Sequence, residues 1–132
     1  MLPLANRSHA RFPTWLLALC LTPLFQHAAG ASLPDSLFQR WIHSYEEDTI
    51  NTLAFRPSGY SFPPARGRDG FEICADGKFI LLGPGGNDRS SSVTGHWTHS
   101  KNWTLRVIFA NNDLNREIHI VDLEPQLLRI QR

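Results

Sequence analysis

The sequence predicts an all-β domain that forms a small, eight-stranded antiparallel up-and-down barrel. From Trp41 onward, short runs rich in branched and aromatic residues are separated by turn residues, a pattern typical of strands. One run alternates, with Trp103, Leu105, Val107 and Phe109 on one face and polar residues on the other, which indicates that one face is buried. Closing such strands into a barrel protects their edges. A barrel of eight strands is filled by side chains or holds one small ligand.

Residues 1–31 are predicted to be a cleaved signal peptide, which leaves residues 32–132 as one barrel domain. Arg7 and Arg11 precede the apolar run "FPTWLLALCLTPLF", and small residues follow it, as in secretory signals. The run is interrupted by Pro23 and is shorter than the roughly 20 apolar residues of a membrane-spanning helix. We therefore expect a secreted or periplasmic protein without a membrane span.

The secondary-structure elements follow in order from Ser32. The stretch "SLPDSLF" predicts a helical turn, and a first strand is expected from Arg40 to Glu47. Seven further strands are expected at "TINTLAFR", "GFEIC", "KFILL", "SVTGHWTH", "WTLRVIF", "REIHIVDL" and "QLLRI". Ala75-Asp76-Gly77 predicts a tight hairpin. The one long loop is expected from Pro57 to Asp69.

Charge and cysteine content exclude several classes of partner. The chain has 13 basic and 12 acidic residues and a formal net charge of +1, so no charge excess attracts it to nucleic acid or anionic lipid. Once Cys20 leaves with the signal peptide, Cys74 remains without a partner. We expect it to be buried and unpaired. We also expect a monomer with no cofactor.

Four features are spread over nearly the whole of residues 32–132. They are Trp41 on the first strand, the hairpin "ADGKF", the "GHW" that contains Trp97, and the closing meander from "LRVIF" to "LLRI". Together they resemble the small bacterial lipocalin-like domains, which are secreted or periplasmic barrels. The stretches "HSYEED" and "FPPARGRDGFE" are also similar to an uncharacterised subgroup of bacterial proteins. The resemblance implies a fold and no activity.

The acidic run Glu46-Glu47-Asp48 and the basic residues Arg66 and Arg68 flank the long loop. Three interpretations are open. Together with His43, the acidic run could supply a general acid and base. The carboxylates could instead be solvated at a strand end. We favour a third interpretation, a clamp in which both arginines bind the carboxylates and pin the long loop over one barrel mouth.

Neither a catalytic motif nor a metal-binding pattern is recognised. His96 and His99 lie three positions apart on one strand, so they point to opposite faces, and no spacing supports a site that combines His43 with His99. If the barrel interior is left unfilled, aromatic residues would line a pocket for a small apolar molecule. The candidate ligand-binding residues are Trp41, His43, Tyr45, Trp97 and Trp103.

Three functions are compatible with this fold, because fold alone does not decide function. The favoured one is a binding module and not an enzyme, with a small apolar molecule as one possible ligand. The alternative is a protein-interaction or inhibitor module that uses the exposed loops 57–69 and 83–92. A small hydrolase or metal-binding protein is the third. A cavity inside the barrel would favour the first.

Overall fold

The computed structural model describes residues 32–83 and 91–132, so the predicted signal peptide and most of the loop 83–92 lie outside the described residues. The described residues form a closed barrel of eight antiparallel strands with three short 3-10 helices, which confirms the predicted fold class. None of these helices is long and apolar enough to cross a membrane. The strands are β1 (Arg40–His43), β2 (Thr52–Pro57), β3 (Gly70–Ile73), β4 (Lys78–Leu82), β5 (Ser92–His99), β6 (Thr104–Ile108), β7 (Arg116–Glu124) and β8 (Leu127–Gln131).

The strand order departs from a simple up-and-down barrel at one place. Around the barrel the order is β1-β2-β8-β7-β6-β5-β4-β3, and β3 closes the circle by pairing with β1. β1 therefore lies between β2 and β3, while β2 pairs with β8. Because β2 and β3 are both antiparallel to β1, they run in the same direction. The chain that joins them must return along the barrel.

This return segment, residues 58–69, is called the strap. Its first residue donates an N–H to the carbonyl of Arg40 at 3.2 Å, and at its last residue the carbonyl of Asp69 accepts the N–H of His43 at 2.9 Å. The strap thus runs alongside the whole of β1. The inner side of β1 is filled by Trp41, which is fully buried, so the strap lies on the outer side.

One end of the barrel, called the closed end, is sealed by the first 3-10 helix, Asp35–Leu37. Leu37 is fully buried, and its carbonyl accepts the indole N–H of Trp41 at 2.9 Å. The next residue, Phe38, stacks on Trp97 with 5.8 Å between the ring centres. The core extends from this end through Phe55, Phe71, Ile73, Phe79, Leu105, Val107, Phe109, Ile118 and Leu128.

β1 is shorter than expected, because it ends at His43 and not at Glu47. Tyr45–Glu47 form a 3-10 helix, in which the N–H of Glu47 donates to the carbonyl of Ser44 at 3.0 Å. The hydroxyl of Ser44 also donates to the Glu47 carboxylate at 2.8 Å. Local hydrogen bonds of this kind compete with the strand ladder, and here they turn the chain away from the barrel wall.

Two side chains are placed differently from their expected positions. Trp103 does not share the buried face of Leu105 and Val107, because it lies in the β5–β6 turn with a φ of 55° and is 44% exposed. A residue in the left-handed region leaves the alternation of the strand. Cys74, the one cysteine among residues 32–83 and 91–132, is half-buried and not fully buried. Burial raises the pKa of its thiol.

Candidate ligand-binding site

The opposite end of the barrel, called the open end, contains a cavity of about 180 Å³. Most of its wall is apolar and is formed by Leu53, Phe55, Phe71, Phe79, Leu81, Ile118 and Ile130. The polar part of the lining consists of His43, Asp69, Arg116 and Glu117. A wider depression on the surface beside residues 48–51 is open to solvent, and it lacks the concave walls that a ligand pocket needs.

Strand register explains why distant parts of the sequence line one cavity. Residues that pair directly across antiparallel strands point to the same face of the sheet. Leu53 of β2 pairs with Ile130 of β8, so both face the interior. Arg116 of β7 pairs with Val107 of β6, which is fully buried. Arg116 therefore lies on the inner face of its strand, at the rim of the cavity.

His43 is a buried polar residue of this end, with only 7% of its surface exposed. Its Nε2 lies 3.0 Å from Asp48 Oδ2, and its Nδ1 lies 3.3 Å from Asp69 Oδ1. The ring stacks on Phe55 at 4.8 Å between centres, and Tyr45 covers it at 4.0 Å. Both ring nitrogens face carboxylates of the protein, so neither is left for a bound molecule.

Tyr45 connects the rim of the open end to the strap. Its hydroxyl donates a hydrogen bond to Asp69, the last residue of the strap. This hydrogen bond raises the pKa of Tyr45. The Tyr45 side chain is 45% exposed, so it lies over His43 from the solvent side and is not part of the cavity wall.

The acidic run divides among different partners. Glu46 accepts hydrogen bonds from Arg68 at 2.7 and 3.0 Å, and Glu47 accepts two from Arg56 at 2.8 and 2.5 Å. Asp48 binds the imidazole described above and accepts a backbone N–H of β2 at 2.8 Å. The hydrogen bonds from Arg56 lower the pKa of Glu47 to about 2, and those from Arg68 lower the pKa of Glu46. Each carboxylate of the run is therefore engaged within the protein.

Arg68 pins the strap. Its side chain is only 8% exposed. Besides binding Glu46, it donates to the carbonyl of His43 at 3.1 Å and to the carbonyl of Pro63 at 2.9 Å. Its guanidinium lies 4.8 Å from the ring centre of Phe62. One arginine thus holds two points of the strap against the end of β1.

Arg66, the second arginine expected in this clamp, does not bind the acidic run in the described part of the chain. It is exposed to solvent instead. Glu47 binds Arg56 of β2. Sequence reasoning missed Arg56, because an arginine within a strand looks like an ordinary outward residue until the pairing partner is known.

Of the five residues expected to bind a ligand, only His43 belongs to the cavity wall. Trp41 is fully buried toward the closed end, and the indole of Trp97 donates to a backbone carbonyl of the β3–β4 hairpin at 2.8 Å. Trp103 and Tyr45 are exposed on the outside. The tryptophans were expected at the site as aromatic residues that would line an unfilled interior, but Trp41 and Trp97 pack toward the closed end of the barrel.

The cavity residues that sequence reasoning missed are ordinary strand residues such as Phe71, Phe79 and Ile118. Their alternation indicates an inner face, but it does not tell which end of the barrel stays open. Within residues 32–83 and 91–132, no three histidine, cysteine or acidic side chains are arranged to hold a metal ion.

No family model matches the chain, and no significant match was found among curated proteins or solved structures. The function is therefore argued from the geometry of the barrel and its open end.

Proposed function

We propose that this protein is a lipocalin-like binding module of the secreted or periplasmic space, which holds a small apolar molecule at the open end of its barrel. The observation that carries the proposal is an apolar cavity of about 180 Å³ in a barrel whose other end is sealed by Leu37 and Trp41. Concave, largely apolar sites with a few polar groups are typical of ligand pockets. The predicted signal peptide supports the location.

The cavity volume limits the size of the ligand. A cavity of roughly 150 Å³ lined by aliphatic and aromatic side chains holds one benzene molecule. The cavity at the open end is slightly larger, so it suits a single ring with a small substituent or a short branched chain. Drug-sized ligands occupy roughly 300–1,000 Å³, so a long lipid is too large to be enclosed.

The polar groups at the open end favour binding over catalysis. A general acid or base must be free to exchange a proton with its substrate. His43 has both nitrogens on carboxylates, and Glu47 is held by Arg56 and Ser44. These contacts stabilise the wall and rim of the cavity.

Binding of toluene to the purified protein tests the proposal. Toluene should shift the amide NMR signals of cavity residues such as Phe71 and Ile118 in a saturable manner. Leu53→Trp and Leu81→Trp, which place a larger side chain in the cavity, should abolish these shifts. Ile108→Trp is the matched control, because Ile108 is 45% exposed on the outside of β6, and toluene should bind to it as to the wild type.

The absence of saturable shifts with toluene up to its solubility limit would overturn the proposal. So would unchanged toluene binding in both cavity-filling variants, provided that their urea melts show a folded protein. Shifts that cluster around Trp103 and not around Phe71 would also contradict it, because they would place the molecule on the outer surface.

A further inference from the structure

The other polar residues of the cavity lining each contact a polar side chain, whereas Arg116 has no acidic partner among the described residues. It is the first residue of β7 and lies on the inner face at the rim of the cavity. Its guanidinium is 5.8 Å from the ring centre of Phe109, and its Nε donates to the carbonyl of Leu114 at 3.0 Å. These contacts orient the side chain through its Nε and leave its two terminal nitrogens as donors.

The neighbouring strand β6 contains an arginine that does form an ion pair. Arg106 lies on the outer face of β6, where its guanidinium donates to Glu117 at 3.3 Å. Glu117 follows Arg116 directly in β7, so alternation turns its side chain outward. The acidic neighbour of Arg116 is therefore engaged on the other side of the barrel wall.

The lining contains a second acidic residue, Asp69, and it is already satisfied. It accepts the Tyr45 hydroxyl and faces Nδ1 of His43. Asp69 immediately precedes β3, and β3 and β7 are four strands apart in either direction around the eight-stranded barrel. Asp69 and Arg116 thus lie on opposite sides of the opening. Within the described residues, the opening therefore has a satisfied carboxylate on one side and, on the other, an arginine without an acidic partner.

We infer that the ligand of this cavity is a small carboxylate, whose single ring or short chain enters the cavity while its carboxylate binds Arg116 at the rim. The planar guanidinium matches a carboxylate in bidentate geometry. The apolar part would contact Phe71, Phe79 and Ile118, which line the cavity below the rim. This inference rests on the proposed function, since it requires that the cavity binds a molecule at all.

Benzoate and benzamide provide the test, because they have nearly the same shape and only benzoate carries a negative charge. Their affinities for the purified protein are measured by NMR titration, with toluene as the uncharged reference. Benzoate should bind about tenfold more tightly than benzamide, since a hydrogen bond to a charged group contributes more than a neutral one. The preference should decrease in high salt, because the rim is exposed to solvent.

Arg116→Gln should reduce the affinity for benzoate about tenfold and should leave the affinities for benzamide and toluene within about twofold of the wild type. Arg106→Gln is the matched control on the neighbouring strand and should change none of the three affinities. Because both arginines are exposed, neither substitution empties a buried position, and urea melts check that both variants fold.

The outcomes separate this inference from the proposed function. If toluene binds but benzoate binds no better than benzamide, the carboxylate inference is overturned and the binding module stands. A preference for benzoate that survives in Arg116→Gln would also overturn it. If none of the three compounds binds, the proposed function itself fails.

Discussion

The two ends of the barrel are built by different interactions. At the closed end, Leu37 and Trp41 are fully buried, and Phe38 stacks on Trp97. At the open end, the rim is held by polar contacts, among them the ion pair of Arg68 with Glu46 and the contacts of His43 with two aspartates. The closed end is thus stabilised mainly by removal of apolar surface from water, whereas the rim of the open end also depends on polar side-chain contacts.

This difference shows how a small barrel keeps a cavity. An interior packed with large side chains has the density of an organic crystal and leaves no space for a ligand. The open end keeps a cavity of about 180 Å³, and Arg68 holds the strap against the end of β1 beside it. The contrast predicts that changes at the closed end cost more stability than changes at the open end.

The largest effect is expected for Trp41→Ala at the closed end. The substitution removes a fully buried indole and its hydrogen bond to the Leu37 carbonyl, so the free energy of unfolding should fall by about 3–5 kcal/mol. Urea melts measure this loss. Trp103→Ala serves as the control at an exposed tryptophan and should cost less than about 1 kcal/mol. Equal losses of unfolding free energy in the two variants would show that the buried Trp41 contributes no more to stability than the exposed Trp103.

Arg68→Ala at the open end should have an intermediate effect. It leaves the carbonyls of His43 and Pro63 without this donor and removes the contact with Phe62, so we expect a loss of about 1–3 kcal/mol. Limited proteolysis should then cut within the strap. Arg66→Ala removes an exposed arginine of the same strap and should match the wild type in both measurements. Protection of the strap from proteolysis in Arg68→Ala would show that the arginine does not pin it.

The smallest effect, which should disappear at acid pH, is expected for Glu47→Gln. Arg56 holds the pKa of Glu47 at about 2, below its ordinary value of 4.5. Because the pKa is lowered in the folded protein, the carboxylate stabilises the fold above about pH 4.5 and loses this contribution as the pH falls toward 2. The contribution should amount to about 1–2 kcal/mol, given that solvent screens a partly exposed pair.

Urea melts between pH 2 and 7 check this prediction. Glu47→Gln should be less stable than the wild type at neutral pH, and the two should converge toward pH 2. Glu117→Gln, which removes the carboxylate of an exposed pair, should follow the wild-type curve. A constant difference between Glu47→Gln and the wild type at every pH would mean that the carboxylate charge is not responsible.

The strands could be predicted from the sequence, but their order could not. Alternation places Leu105 and Val107 on the inner face, and both are fully buried. The sequence does not predict that β1 lies between β2 and β3, because a long loop such as residues 57–69 can either join neighbouring strands or cross over one. The hydrogen bonds from the ends of the strap to β1 decide between these two paths.

The partners of the charged residues could likewise be predicted only in part. An acidic run and two nearby arginines indicate that ion pairs form, and Arg68 does bind Glu46. The sequence does not tell that Glu47 binds Arg56, or that Arg66 stays exposed. Ion pairs depend on distances of a few ångströms, and these are set by where the strap and the 3-10 helix Tyr45–Glu47 come to lie.

The sequence by itself determined the class of the fold and the approximate positions of the strands, because strand periodicity and turn residues are local properties that neighbouring residues impose. Only the tertiary structure decided which end of the barrel is sealed and which holds the cavity. That choice depends on contacts between residues far apart in the chain, such as Phe38 with Trp97 and Arg68 with Glu46. Such contacts form only after the strands have closed into a barrel.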